Sequence, residues 1–310
     1  MSKGSNKLVF DILIDESFST INTDSSLRPV KNKMVLSIIN DFEDGSWRYK
    51  KFQSFIWDNI AETALSYQER ESLLNHSLLT AAAQNLRLTD KNDKIGNGSE
   101  LAEIVLYGIM KYHYNALPVV PKIFYKQNAQ DNAKGADSVH IVLEDNGDFS
   151  IWFGEAKFYN SIDDSRLDTI IQSVENSLKT NKLKKENSII TNVADIDYLI
   201  NDVSLVENIK KALSPSNSID NLKPKLHIPI LLLHECKTTQ NTTSLTPKYK
   251  NQILGFHKER AQAYFSEQIS KISNSIHRYS EVKFHIILFP VPDKKNIVNK
   301  FLKTVKFYKD

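Results

Sequence analysis

The stretch KGADSVHIVLEDNGDFSIWFGEAK, residues 134–157, predicts a β-hairpin around which the rest of the fold can be arranged. Asp145-Asn146-Gly147 is a turn sequence, and its glycine can adopt the left-handed conformation that closes a three-residue hairpin loop. That loop pairs the strands so that Asp137 lies opposite Glu155. A two-residue turn at Asn146-Gly147 would instead shift the pairing by one residue and send these two acids to opposite faces.

In the three-residue register, one face of the hairpin is apolar and ends in charged residues. Asp137, Glu155 and Lys157 lie at that end, because residues directly opposite share a face and side chains alternate along each strand. Two carboxylates whose Cβ atoms are about 5 Å apart repel each other unless a cation or a shared proton lies between them. A site made only of oxygen ligands suits Mg²⁺ or Mn²⁺. The apolar residues of this face are Val139, Ile141, Leu143, Ile151 and Phe153.

The composition is that of a soluble globular protein. The 310 residues suffice for one large α/β domain with an extension, or for two modest domains, and 41% of them are hydrophobic. A net charge of +3 permits a nucleic-acid partner without requiring one. The single cysteine, Cys236, excludes an intrachain disulfide framework and fits a reducing compartment. No signal-peptide-like segment and no apolar run near the roughly 18 residues of a membrane span is present, so we expect a cytoplasmic protein without a membrane partner.

The order of predicted elements indicates an α/β fold with a mixed central sheet flanked by helices. We interpret residues 1–90 as an N-terminal strand-plus-helices extension packed on a core formed by residues 91–310. The extension includes predicted helices at 47–66 and 68–88. The core begins with a helix from Ser99, followed by a predicted strand at 119–126 and by the hairpin. An insertion at about 180–226 interrupts the core before its last strands and long helix.

A Glu-x-Lys triplet alone is weak evidence for a site. Four acid-x-Lys triplets occur, and Glu235-Cys236-Lys237 also follows a buried strand, LLLHECK. The nearest acid upstream of Glu235 is Asp220, which lies in a predicted loop. Glu155 instead has a strand aspartate 18 residues before it, and we therefore favour Glu155 and Lys157 over Glu235 and Lys237.

Three segments together resemble the PD-(D/E)xK nuclease superfamily: GSELAEIVLYGIM, KGADSVHI and WFGEAKFY. More narrowly, they resemble HamA, the nuclease subunit family of the Hachiman anti-phage defence system. Ala136 stands where the superfamily pattern has proline. The resemblance implies a restriction-endonuclease-like fold and a magnesium-dependent DNA endonuclease with little sequence preference, regulated by a helicase/ATPase partner subunit. The chain has no GxxxxGK[ST] phosphate loop, so any ATP-driven step must come from another protein.

The resemblance also implies roles for individual residues. Asp137, Glu155 and the backbone carbonyl of Ala156 would hold the metal ion, and Lys157 would orient or help to deprotonate the attacking water. Glu100 or Glu103, in the preceding helix, could bind a metal-bound water or a second metal. Each glutamate is equally well explained as a first-turn acid favoured by the helix dipole.

Lys134, Gln172, Lys179 and Lys182 are candidates for contacts with DNA, although a solvated surface explains them as well. Two further functions remain open from the sequence. A catalytically silent nuclease-fold subunit could dock a helicase/ATPase, and the enzyme could be an RNase or a sequence-specific restriction enzyme.

Overall fold

The computed structural model describes residues 7–73, 77–86, 99–125, 135–192 and 195–309. The strands are β1 (Asp11–Ser17), β2 (Lys33–Ile39), β3 (Phe42–Glu43), β4 (Ser46–Trp47), β5 (Leu117–Val120), β6 (Ser138–Leu143), β7 (Phe149–Tyr159), β8 (Leu226–Glu235) and β9 (Lys283–Val291). The α-helices are α1 (Phe18–Ile21), α2 (Tyr49–Ala64), α3 (Tyr67–Ser72), α4 (Leu78–Asn85), α5 (Ser99–Tyr114), α6 (Lys122–Tyr125), α7 (Asp164–Ser177), α8 (Thr180–Asn192), α9 (Asp195–Leu199), α10 (Val203–Ala212), α11 (Lys237–Gln240), α12 (Pro247–Ile272) and α13 (Lys294–Lys309).

Seven strands form one mixed sheet in the order β1-β2-β9-β8-β7-β6-β5. The four central strands, β2, β9, β8 and β7, run parallel to one another, whereas β1 on one side and β6 and β5 on the other pair antiparallel. Nearly every residue of β8 is buried, as expected for a parallel strand covered on both faces. The predicted α/β fold, a mixed sheet flanked by helices, is confirmed. The strands β1 and β2, from the predicted N-terminal extension, belong to this same sheet.

Each face of the sheet packs against its own set of helices. Ile151 and Phe153 belong to a core with apolar residues of α7, α12 and the segment from α8 to α10. Trp152 and Ala156 belong to a second core with α2, α5 and α13. The alternation of side chains along β7 therefore divides this one strand between the two layers. None of the helices in the described ranges combines the length and apolarity that a membrane span requires.

The hairpin forms in the predicted three-residue register. Val139 pairs with Phe153 and Leu143 with Phe149 across β6 and β7. Gly147 adopts φ +80°, and the Glu144 N–H donates to the Asp148 carbonyl over 2.8 Å to close the loop. The alternative two-residue turn is excluded.

Three local predictions were wrong. The strand expected at 119–126 ends at Val120, and residues 122–125 form α6, because Pro121 has no N–H to continue a sheet ladder. The single helix expected at 68–88 is instead two short helices, α3 and α4, of which α3 begins with a capping box between Ser66 and Glu69. Residues 7–17 alternate in sequence so that a regular strand would place Phe10 and Ile14 on one face. A bulge in β1 instead separates these two residues into different cores.

Candidate functional site

A cluster of charged side chains lies where β6 begins and β7 approaches its end. It consists of Asp137, Glu155 and Lys157. Glu155 and Lys157 lie two residues apart in β7 and so project from the same face. Asp137 stands directly before β6, and its N–H donates to the Gly154 carbonyl over 2.8 Å. The Lys157 Nζ lies 3.2 Å from Asp137 Oδ2 and 3.2 Å from Glu155 Oε2. The structure thus brings the three residues of the predicted site into direct contact.

The backbone of Ala156 also belongs to this cluster. Its N–H donates to Asp137 Oδ2 over 3.0 Å. The N–H and C=O of one strand residue point to the same side of the strand, so the Ala156 carbonyl also faces the side on which Asp137 lies. That placement is compatible with its predicted role as a metal ligand.

Exposure increases across the cluster from the interior to the surface. The Glu155 side chain is 6% exposed, that of Asp137 17%, and that of Lys157 28%. A ligand from solvent would therefore reach Lys157 and Asp137 before Glu155, which forms the floor of the site.

Burial and mutual charge decide the protonation of the cluster. Burial, and then the charge of Asp137, raise the pKa of Glu155, while Lys157 and a hydrogen bond from Ser173 act in the opposite direction. Burial alone would lower the pKa of Lys157, but the charges of Asp137 and Glu155 outweigh it and raise that pKa above its ordinary value. Lys157 is therefore a cation at neutral pH, held between the side chains of Asp137 and Glu155.

Sequence reasoning missed Ser173, whose Oγ donates to Glu155 Oε2 over 2.9 Å. It lies on α7, where Gln172 was the predicted candidate, but Gln172 is exposed. The spacing along the helix could have identified Ser173. It follows Ile170 by three residues, and residues three apart lie on the same side of a helix. Ile170 is fully buried against the sheet, so its neighbour Ser173 also faces it.

Tyr159 and Arg166 extend the site toward solvent. Tyr159 is the next residue of β7 on the face of Glu155 and Lys157, and the Arg166 guanidinium lies 5.9 Å from the centre of its ring. Burial raises the pKa of Tyr159, against the opposing charges of Lys157 and Arg166. An aromatic ring and an exposed cation thus stand beside the opening of the cluster.

The two predicted glutamates of α5 lie in its first turns, where Glu103 is buried and Glu100 is half-buried. This helix packs on the sheet face opposite to that of Glu155. It approaches closely because Gly154 has no side chain: a Cβ there would lie 2.8 Å from Leu106 Cδ2. A role for either glutamate stays a prediction.

The predicted DNA contacts are dispersed. Lys134 lies outside the described residues. Lys179 is exposed and donates to Asn176 Oδ1 over 2.6 Å, and Lys182 is half-buried. Their contacts with DNA stay predictions.

The chemistry of the cluster fits a hard divalent cation. Oxygens of Asp137 and Glu155 already converge on one positive charge, the ammonium of Lys157. No group of three or more His, Cys, Asp or Glu side chains suited to a metal ion occurs in the part of the chain that the structure describes. Mg²⁺ does not require three such side chains, since it commonly binds through one or two carboxylates and retains several waters.

Comparison with known protein families identifies a matching family. The HamA family model matches residues 13–305, almost the whole chain. A search of curated proteins finds no match.

Proposed function

The chain belongs to the HamA family, whose members are components of the Hachiman defence system, and from this premise we propose that the chain is a metal-dependent DNA endonuclease. The observation that carries the proposal is that Lys157 Nζ lies 3.2 Å from a carboxylate oxygen of both Asp137 and Glu155, at the end of a hairpin. The proposal assigns the chain to the PD-(D/E)xK nucleases and makes the cluster its active site.

Asp137 and Glu155, with the carbonyl of Ala156, would hold Mg²⁺ or Mn²⁺. When bound, such an ion polarises a phosphate oxygen and lowers the pKa of a coordinated water. Lys157 leaves its place between the carboxylates and turns toward the phosphate. Its flexible stem allows this movement, and its compact ammonium suits a single strong contact.

In the reaction, Lys157 orients the attacking water and offsets the negative charge that develops on the phosphate. Glu155 is the most buried member of the cluster, so its carboxylate would bind the ion from the inner side of the site. The Arg166 side chain, exposed beside Tyr159, is suited to a neighbouring phosphate of the DNA backbone. Such contacts carry no sequence information and accord with cleavage of little sequence preference.

The partner in this proposal is a helicase/ATPase subunit. The chain contains no GxxxxGK[ST] motif to bind nucleotide phosphates. ATP-driven movement along DNA, and the control of cleavage by it, therefore belong to that partner. Glu100 and Glu103 stay candidates for a second metal or its water.

The test is cleavage of supercoiled, linear and single-stranded DNA by the purified chain, alone and with its partner, with and without Mg²⁺. Lys157→Ala should abolish cleavage, whereas Lys237→Ala, the matched change at the neighbouring strand end, should not. Discrete fragments would indicate sequence specificity, and digestion of RNA alone would indicate an RNase. If the wild-type chain and its complex cleave nothing with any divalent metal, the nuclease proposal is wrong and a catalytically silent docking subunit replaces it.

A further inference from the structure

A buried ion pair joins the predicted insertion to the segment before the site. Lys122 Nζ lies 2.6 Å from Glu186 Oε2, and the two side chains are 1% and 4% exposed. Lys122 opens α6, and Glu186 lies in α8, 64 residues later. Because removing two charges from water is costly, such a pair persists when further hydrogen bonds satisfy its remaining atoms.

The other oxygen of Glu186 accepts a hydrogen bond from the backbone next to Asp137. Glu186 Oε1 lies 3.0 Å from the N–H of Ala136, the residue that directly precedes Asp137. The next N–H, that of Asp137 itself, donates to the Gly154 carbonyl. The N–H groups of Ala136 and Asp137 are thus bound to two different elements, α8 and β7, just before β6 begins.

Gly135 makes this contact possible. A Cβ at position 135 would lie 1.6 Å from Glu186 Oε1, which no side chain could tolerate without displacing the carboxylate. The Gly-Ala-Asp sequence therefore has a physical meaning in this chain. Its glycine admits the Glu186 carboxylate, its alanine donates the N–H, and its aspartate reaches the cluster.

We propose that Glu186 is a positioning residue, which holds Asp137 in place through the Ala136 amide while Lys122 compensates its charge. This inference rests on the proposed function, because it assigns Asp137 to metal binding. A charged acceptor forms a stronger hydrogen bond with a backbone N–H than a neutral one does. Groups that orient a ligand in this way typically change metal affinity or activity by about 10- to 100-fold when removed.

Two double variants test the inference without leaving a charge buried alone. Both replace Lys122 with methionine, and they differ only at position 186: K122M/E186Q keeps an oxygen that can accept from Ala136, whereas K122M/E186M has none. We expect the methionine variant to bind Mg²⁺ about 10-fold or more weakly than the glutamine variant. Isothermal titration calorimetry of the metal, in the absence of DNA, measures this difference.

Amide hydrogen exchange gives a readout that does not depend on nuclease activity. The Ala136 amide should exchange slowly in the wild type and in K122M/E186Q, and faster in K122M/E186M. Equal exchange and equal Mg²⁺ affinity in the two variants would overturn the inference. A third outcome is that Ala136 exchange differs between the two variants while the wild type binds no metal and cleaves no DNA. The hydrogen bond between Glu186 and Ala136 is then purely structural, and the positioning role is wrong together with the proposed function.

Gly135→Ala tests the same contact with both charged partners intact. The added methyl group must displace the Glu186 carboxylate, so we expect faster exchange at Ala136 and weaker Mg²⁺ binding. Gly255→Ala is the matched control, because a Cβ at position 255 on α12 meets no atom within 4 Å. Wild-type exchange and wild-type metal affinity in Gly135→Ala would contradict the inference.

Discussion

Two neighbouring strands of the sheet carry the same kind of triplet near their C-terminal ends, and only one of the triplets forms a charged cluster. Strand β7 continues to Tyr159, so Glu155 and Lys157 both lie within it and share a face. Strand β8 ends at Glu235, and Lys237 is already the first residue of α11. The side-chain alternation that places Glu155 and Lys157 on one face therefore does not extend to Lys237.

Glu235 has a different task. It accepts hydrogen bonds from the Lys294 N–H, over 2.8 Å, and from the Asn160 side chain, over 2.8 Å. Lys294 opens α13, where the helix dipole favours a negative charge. A Glu-x-Lys triplet thus becomes a cluster only where its strand continues and the adjacent strand is preceded by an acid. Elsewhere the same glutamate stabilises a helix end.

The largest difference between the two strand ends should be in catalysis. Glu155→Gln keeps the shape of the side chain but removes a carboxylate from the proposed metal site, and we expect DNA cleavage to fall by about 10²- to 10³-fold. Plasmid cleavage in Mg²⁺, with circular dichroism to verify folding, measures this. Glu235→Gln is the matched control. Equal rates for the two variants would end the distinction between the strand ends.

Ser173→Ala should have the next largest effect. Its hydroxyl stabilises the ionised form of Glu155, so its loss raises the pKa of Glu155 further. Protonated Glu155 cannot hold a cation, and the pH below which cleavage declines should therefore move upward, with Mg²⁺ affinity about 10-fold weaker. Rate profiles across pH at several Mg²⁺ concentrations measure both effects. Ser177→Ala, on the same helix, is the control, and an identical profile for the two variants would contradict the assignment.

Glu235→Gln should affect stability rather than cleavage. Loss of the charge at the start of α13 should lower the free energy of unfolding by about 1 kcal/mol. Chemical denaturation measures this loss, and cleavage per folded molecule should stay within about twofold of the wild type. A large loss of cleavage with unchanged stability would place Glu235 in the active site.

Lys237→Ala should have the smallest effect. The side chain is exposed on α11, and substitutions at such positions usually change the free energy of unfolding by less than about 0.5 kcal/mol. The same denaturation and cleavage measurements apply. A loss of cleavage comparable with that of Lys157→Ala would contradict the contrast between the two strand ends.

The candidate site could be predicted from the sequence to the extent that it depends on local pairing. The turn at Gly147 fixes the hairpin register, and that register alone places Asp137 beside Glu155. The supporting residues could not be predicted in this way. Ser173 reaches Glu155 from α7, and Glu186 reaches Ala136 from α8, and no local pattern relates those helices to the hairpin.

The sequence by itself determined the elements whose periodicity is uninterrupted: the hairpin, the buried strand β8 and the amphipathic helices. Only the tertiary structure decided where β8 ends, so that Lys237 lies in α11 and Glu235 accepts a hydrogen bond from the start of α13. It also decided that Lys122 begins a helix and forms a buried ion pair with Glu186. The physical reason is the distance along the chain over which each effect acts. Hydrophobic periodicity and turn chemistry act between residues close in sequence, whereas the position of a buried charge depends on partners far away in the chain.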